Sequence, residues 1–403
     1  MRDVFVLSAA RTPIGRFGGA FASLSAPELG APAACAALER ARVDGVDEVI
    51  FGHARQAGNG PNTARQIVRR AGLPDSVPAF TVNQACASGL KAILLGADAI
   101  ALSRAERVLA GGHEAMSRTP YYLERARWGY RMGNGELVDG MTRDGFLCPL
   151  CGRVMGETAE TLAKECGLSR EDQDAFALES QRRAARATAE GRFDEEIVPV
   201  GVVSGKHPVL VARDEHPRPE TEPASLAKLA PVFRIDGTVT AGNSSGITDG
   251  GAALVLGSFE AMEEARARGA TPLARLAASA VVGVDPARMG IGPVPAVRRL
   301  LSETGLPAAE IGLVELNEAF AAQALACMRE LGLPPERVNV NGGAIALGHP
   351  IGATGARIAV TLLHEMRRRH ERWGVATLCV SGGMGVAALF ELLPERAGAA
   401  EAR

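Results

Sequence analysis

Asn83-Gln84-Ala85-Cys86-Ala87-Ser88-Gly89-Leu90 opens an alanine-rich run that continues to Ala105 and is followed by Val108-Leu109-Ala110-Gly111-Gly112. Leu90, Ile93, Leu94, Ala97 and Ile100 recur at helical spacing, so residues 87–105 read as a helix with an apolar face, and Val108–Ala110 as a short strand. The same order returns near the other end. His349 precedes a helix-like stretch, Ala353–Arg369, then a strand, Val375–Val380, then Gly382 and Gly383. Each copy places one chemically capable side chain at a loop-to-helix junction and a glycine pair after a strand, a weak internal duplication. Further apolar runs of strand length at Val4–Leu7, Glu48–Gly52 and Ala252–Leu256 alternate with alanine-rich stretches, which predicts a layered α/β fold.

A chain of 403 residues exceeds what one core usually covers, so two or three packed units are expected. Residues 120–244 differ from their surroundings in being rich in Arg, Gly and acidic side chains. Their strongest helical signal starts at Ser169, which forms a capping box with Asp172, and stops near Gly191. This stretch reads as an inserted, mostly solvent-facing domain. The net charge of -2 leaves no electrostatic footprint for nucleic acid. Met1 leads straight into the apolar run Val4–Ala10, which is too short for a membrane span and has no charged leader. The seven cysteines are odd in number and scattered, unlike a secreted disulfide framework, so a reducing cytoplasm is expected.

Cys86 stands just before a predicted helix, where the helix dipole favours a thiolate over the ordinary thiol of pKa about 8.5. Taken alone, a small buried cysteine would look the same. His349 lies in Asn341-Gly342-Gly343-Ala344-Ile345-Ala346-Leu347-Gly348-His349-Pro350-Ile351-Gly352-Ala353-Thr354-Gly355, whose glycines permit tight turns and close approach. The stretch lacks a Gly-Lys-Ser/Thr ending and the dinucleotide glycine spacing, so a nucleotide loop is disfavoured. Cys379 is followed by Val380-Ser381-Gly382-Gly383-Met384-Gly385, a turn able to present backbone N–H groups as an oxyanion hole. Asn317, in Glu315-Leu316-Asn317-Glu318-Ala319-Phe320, either binds a water or carbonyl from the start of a helix or merely caps that helix. Cys148-Pro149-Leu150-Cys151 has no second pair to complete a four-ligand zinc site, so it is expected to be a non-catalytic loop pair and no metal is assigned.

Taken in order, these motifs closely resemble the thiolase family. The resemblance runs from Leu7-Ser8-Ala9-Ala10-Arg11-Thr12-Pro13-Ile14-Gly15 through Gly111-Gly112-His113-Glu114-Ala115-Met116-Ser117, Met155-Gly156-Glu157-Thr158-Ala159-Glu160 and Ala241-Gly242-Asn243-Ser244-Ser245-Gly246 to the Asn317, His349 and Cys379 stretches. It implies two duplicated βαβαβαββ halves in five layers, α/β/α/β/α, with a loop domain inserted in the first half. The halves would be 1–119 completed by 245–270, and 271–395. The loop domain would be 120–244, leaving 396–403 as a polar tail.

By motif position the resemblance makes Cys86 the nucleophile, His349 its activating base and Cys379 the second acid/base. Asn317 would hold a water that stabilises an enolate oxygen together with His349, and the N–H groups of Cys86 and Ser381 would form a second oxyanion hole. Ser245 and Ala319 would line the pantetheine tunnel, with Met155 near the acyl group. CoA and acyl-CoA are expected as substrates, with no tightly bound cofactor, in a homodimer or homotetramer. Acetoacetyl-specific members often carry His where this chain has Val154, which leaves a short-chain preference open. A ketoacyl synthase shares the fold and a cysteine nucleophile, but completes its site with His or Asn; Cys379 argues against it. A silent, binding-only relative would not need to keep Cys86, Asn317, His349 and Cys379 together.

Overall fold

The alternating apolar runs become strands, most of them longer than their apolar patterns. They are β1 (Phe5–Arg11), β2 (Glu48–Gly52), β3 (Ala79–Val82), β4 (Arg107–Ala115), β5 (Thr248–Gly257), β6 (Ala274–Gly283), β7 (Leu313–Leu316), β8 (Trp373–Val380) and β9 (Met384–Leu392). The helices that matter for the site are α1 (Ala26–Ala41), α2 (Ser88–Ala101), α3 (Met155–Glu165), α4 (Arg170–Ala189), α5 (Pro293–Thr304), α6 (Ala321–Leu331) and α7 (Ile351–Arg369). The computed structural model describes residues 1–204 and 207–394, so the expected tail at 396–403, and residue 395, lie outside the described residues.

The strands run β7-β8-β9-β6-β1-β5-β4-β2-β3 across a continuous sheet, with Gly15–Arg16 paired beside β5. The duplication is written into the pairing. On one side β1, β5 and β4 are successively antiparallel, and β4, β2 and β3 successively parallel. On the other, β6, β9 and β8 are antiparallel and β8 is parallel to β7, beyond which Val338 bridges Val314 in parallel in the place that β3 occupies opposite. The two sides meet through Phe5 opposite Arg275 and Val6 opposite Ala274. The expected pair of halves is therefore one sheet hinged at a short joint.

Both sides of that hinge pack on the same two helices. Val6, Val108 and Leu254 from one half, and Leu378, Val386 and Phe390 from the other, share a core with Leu90 and Ile93 of α2 and Ile358 and Leu362 of α7. Every residue of α7 from Ile351 to Met366 is buried, as a helix enclosed on all faces requires. Leu7 and Ala10 turn to the opposite face of β1 and pack on α1, while α5 and α6 cover the far face of the second half. The result is the five-layered α/β/α/β/α thiolase-like arrangement.

The central helices touch where they begin. A Cβ added to Gly89 would lie 2.8 Å from the Ala356 nitrogen, and one on Gly355 would lie closer still to the Leu90 backbone. Only bare backbones fit at that crossing. It holds the loop before α2, which carries Cys86, against the loop before α7, which carries His349.

Among the described residues between 120 and 244 the strands form only two-stranded ribbons: Tyr121–Tyr122 with Val138–Asp139, Leu147–Cys148 with Arg153–Val154, and Val200–Ser204 with His207–Val211. The predicted capping box forms, the Asp172 N–H donating to Ser169 Oγ at 3.0 Å and the Ser169 N–H to the Asp172 carboxylate at 3.2 Å. Most of the segment faces solvent as expected, but α4 has a buried face. Gln173, Ala177, Ser180, Gln181 and Ala184 of α4 are buried, and Ser180 Oγ donates to Glu318 at 2.7 Å. Glu196 and Asp214 reach back to buried Arg11 on β1 at 2.6 and 2.8 Å. Polar side chains enter this interface because each has a charged or hydrogen-bonded partner there.

Candidate active site

Past β3 the chain turns through Ala85, whose φ of 45° is a left-handed conformation that a side chain adopts only at some cost. That turn sets Cys86 in a short helical segment ahead of α2. Cys86 is half-buried and packs on the cluster of Ala54, Met116, Met141 and Ile351, as does Phe146. Burial pushes its thiol above the ordinary cysteine value; the Ser381 N–H, which hydrogen-bonds the sulfur, and the Arg55 charge pull it back. Burial outweighs what favours the thiolate at this helix start, so a base is needed to take the proton, in keeping with the expected histidine partner.

His349 contributes a defined tautomer. Thr354 Oγ1 donates to the Pro350 carbonyl at 2.9 Å and so has only lone pairs left for His349 Nδ1, which lies 2.6 Å away. Nδ1 must then carry the proton, and Nε2 presents its lone pair. The amide nitrogen of Asn317 faces that lone pair at 3.4 Å. Burial, followed by the positive charges of Arg357 and Arg55, pushes the imidazole down to about 3, so it rests neutral. A neutral imidazole whose Nε2 carries no proton, its lone pair met only by the long Asn317 contact, is a base.

Asn317 follows β7, and its N–H donates to the Thr377 carbonyl at 3.0 Å. The helix-start and cap readings are both corrected, since α6 begins at Ala321 behind Phe320. Asn317 Oδ1 is buried and has no protein partner among the described residues. Cys379, fully buried near the end of β8, packs with Cys148, Met155, Met289 and Ala319. Burial and then the neighbouring Cys86 push its thiol well above the ordinary value. Past it, Gly382 and Gly383 take φ of 90° and 86°, a left-handed pair that turns the chain back into β9 and leaves the Ser381 N–H pointing at Cys86.

The remaining residues singled out by the sequence gather at the same place. The Ser245 N–H donates to the Ala319 carbonyl at 3.0 Å, and the His349 N–H to the Gly246 carbonyl at 3.2 Å, so one extended segment links the tunnel candidates to the histidine loop. Met155, at the start of α3, and Ala319 both join the cluster around Cys379. Cys148 and Cys151 are free thiols, and Cys148 also touches that cluster, a proximity that their separation along the chain does not foretell. No group of three or more metal-ligating side chains occurs among the described residues.

Two residues with no sequence signal of their own complete the geometry. Buried Glu114 accepts the N–H groups of Gly352 at 2.8 Å, Ala54 at 3.2 Å and Arg55 at 3.1 Å, and faces His53 Nε2 at 3.2 Å. It fastens the start of α7 to the half that carries Cys86. Thr354 selects the histidine tautomer. Both stand within motifs quoted above, but only their partners reveal what they hold.

Residues 4–260 match the family described as thiolase, N-terminal domain, and residues 270–392 match thiolase, C-terminal domain. The chain belongs to the thiolase family. It is 52% identical over 398 residues to the acetyl-CoA acetyltransferase of Escherichia coli strain K12, covering 98% of this chain and 100% of that one. Among solved thiolase structures, the Bacillus anthracis acetyl-CoA acetyltransferase is 46% identical with a TM-score of 0.94, covering 98% of this chain and 99% of its own. Human mitochondrial 3-ketoacyl-CoA thiolase in complex with CoA is 42% identical with a TM-score of 0.93, covering 97% and 98%.

In this thiolase the raised Cys86 thiol has a measurable consequence. Alkylation of Cys86 by iodoacetamide, followed by peptide mapping, is expected to quicken about tenfold per pH unit between roughly pH 7 and 8.5, because only the thiolate reacts. A rate that is already flat at neutral pH would mean that the resting site holds a thiolate.

Proposed function

We propose that this thiolase is an acyl-CoA C-acyltransferase that reversibly moves an acyl group between CoA and acetyl-CoA, by thiolysis of 3-ketoacyl-CoA or by Claisen condensation, through an acyl-Cys86 intermediate. The observation that carries the reading is the convergence, from two halves of the fold, of Cys86 under the Ser381 N–H with a His349 whose Nε2 carries no proton.

In thiolysis His349 takes the Cys86 proton and the thiolate attacks the 3-keto carbon. The bond between the second and third acyl carbons breaks, leaving the shortened acyl group on Cys86 and the enolate of acetyl-CoA. Cys379 gives its proton to that enolate carbon, and acetyl-CoA departs. Free CoA gives its thiol proton to Cys379 and attacks acyl-Cys86; the bond between the acyl carbon and the Cys86 sulfur breaks, and the released Cys86 thiolate takes its proton back from His349. Condensation reverses each step.

The Cys86 and Ser381 N–H groups stabilise the oxyanion at the Cys86 thioester. His349, once protonated at Nε2, donates to the enolate oxygen together with a water held by Asn317. Ser245 and Ala319 line the pantetheine tunnel, and Met155 borders the acyl group. CoA and acyl-CoA are substrates, and no tightly bound cofactor is required.

The structural division that goes with this reading is 1–119 plus 245–270, 120–244 and 271–395. The enzyme works in fatty acid metabolism as a cytoplasmic homodimer or homotetramer, away from membrane and nucleic acid. No helix among the described residues is long and apolar enough to cross a membrane.

A thiolysis assay across 3-ketoacyl-CoA chain lengths tests the reading. Short to medium chains are expected to react best, with Val154, rather than the His common in acetoacetyl-specific members, in the ribbon before α3. Activity confined to long chains would count against that preference, and absence of thiolysis at every length would refute the function.

A further inference from the structure

Arg55 is 7% exposed, yet its guanidinium makes no hydrogen bond or ion pair among the described residues, and its Nε is buried without a partner. The guanidinium carbon lies 5.7 Å from the centre of the Phe146 ring, and the group rests so closely against Gly145 that any side chain there would overlap it. The acidic groups around it are already engaged. Glu114 accepts three backbone N–H groups and faces His53, while Asp144 accepts the Tyr122 hydroxyl at 2.6 Å. Glu114 feels the Arg55 charge but is not bonded to it, and a buried cation with no hydrogen-bonded anion is costly, so such a group in a folded protein calls for a reason.

Its surroundings supply one. Ala54, the residue preceding Arg55, belongs with Met116, Met141 and Ile351 to the apolar cluster on which both Cys86 and Phe146, the ring under the guanidinium, pack. The Arg55 charge is felt at both Cys86 and His349. An acyl group on Cys86 thus sits against the same apolar cluster as Phe146, whose ring carries the unpaired Arg55 guanidinium. Arginine binds carboxylates through paired, parallel hydrogen bonds, and that geometry is left unused here.

We infer that the acyl pocket is built for chains that end in a carboxylate, so that the preferred substrate is a 3-ketoacyl-CoA derived from a dicarboxylic acid, its terminal carboxylate held by Arg55. This deepens the thiolase reading given above and rests on it. Arg55 takes no part in the bond changes; it selects which acyl chain reaches Cys86.

The test compares kcat/KM for thiolysis of 3-ketoadipyl-CoA and 3-ketohexanoyl-CoA, chains of equal length of which only the first ends in a carboxylate. The wild-type enzyme is expected to favour the carboxylated chain by about 10- to 100-fold, the scale of a charged hydrogen-bonded contact. Arg55→Leu is expected to bring that ratio to about one or below. Arg55→Lys keeps the charge without the fork and is expected to fall between, which preserves the test if the leucine variant folds poorly. Equal wild-type kcat/KM for the two chains, or a ratio unchanged in Arg55→Leu, overturns the inference while leaving the thiolase reading intact. Failure of wild-type enzyme to cleave either chain removes both. An experimental structure of the free enzyme with an acidic side chain of a second copy paired to Arg55 would also overturn it.

Discussion

Cys86→Ala is expected to yield a folded protein that no longer takes up an acetyl group from acetyl-CoA, with thiolysis lowered by on the order of 10⁴-fold or more. The size follows from removing the atom that bonds to substrate, for which the buried Cys379, with its strongly raised thiol, is no substitute. The cost to the fold is small, about 1 kcal/mol, since Cys86 is half-buried and loses one sulfur atom against Ala54, Met116 and Ile351. Intact-mass measurement after incubation with acetyl-CoA, followed by peptide mapping, checks the assignment. An acyl group found on Cys379, or near-normal thiolysis by the variant, would remove the central role given to Cys86.

Cys379→Ala is expected to behave differently, because acylating Cys86 and moving a proton at an acyl α-carbon are separate tasks. His349, with its unprotonated Nε2, can assist the first without Cys379. The second needs an acid that protonates the departing enolate in thiolysis, or a base that deprotonates acetyl-CoA in condensation. Loss of a positioned general acid or base typically costs about 10² to 10⁴ in rate, whereas a backbone donor such as the Ser381 N–H survives the substitution. The variant is therefore expected to acylate Cys86 from acetyl-CoA while both carbon-carbon reactions fall at least about a hundredfold. Both must be measured on protein shown to be folded by near-ultraviolet circular dichroism. Equal loss of acylation and condensation, or thiolysis close to wild type, would show that the two cysteines do not divide the work in this way.

The paired junctions were legible because a reactive side chain, a helical apolar spacing and a glycine pair recur together at both ends of the chain. The extents were less so. A strand read from apolar residues stops at Leu7, yet β1 continues through Ser8 to Arg11, where the buried guanidinium is neutralised by Glu196 and Asp214 from distant sequence. The apolar pattern likewise cannot foresee that β4 runs on through His113 and Glu114, which are completely buried and meet Thr63 and His53. Asn317 was placed at a helix start because Ala321 onwards looks helical; the few residues between β7 and α6 have no periodicity to separate them. The charged composition of α4 hid its buried face, since Gln173, Ser180 and Gln181 find their partners on other elements. Arg55 follows the same logic in reverse: the feature that marks it is a missing partner, which no linear pattern displays.

The pairing of β1 with β5 bears on how the chain is made. Phe5–Arg11 leaves the ribosome well before its strand partner Thr248–Gly257, which follows only after residues 12–247, roughly 10 to 50 s later at ordinary synthesis rates. The helix that packs on α2, Ile351–Arg369, comes later still. Throughout that interval the apolar faces of β1 and α2 lack their covers, and the Cys86 thiol exists without the loop that contributes His349. Expression yield should accordingly depend on chaperone capacity and growth temperature more than on the equilibrium stability of the finished fold.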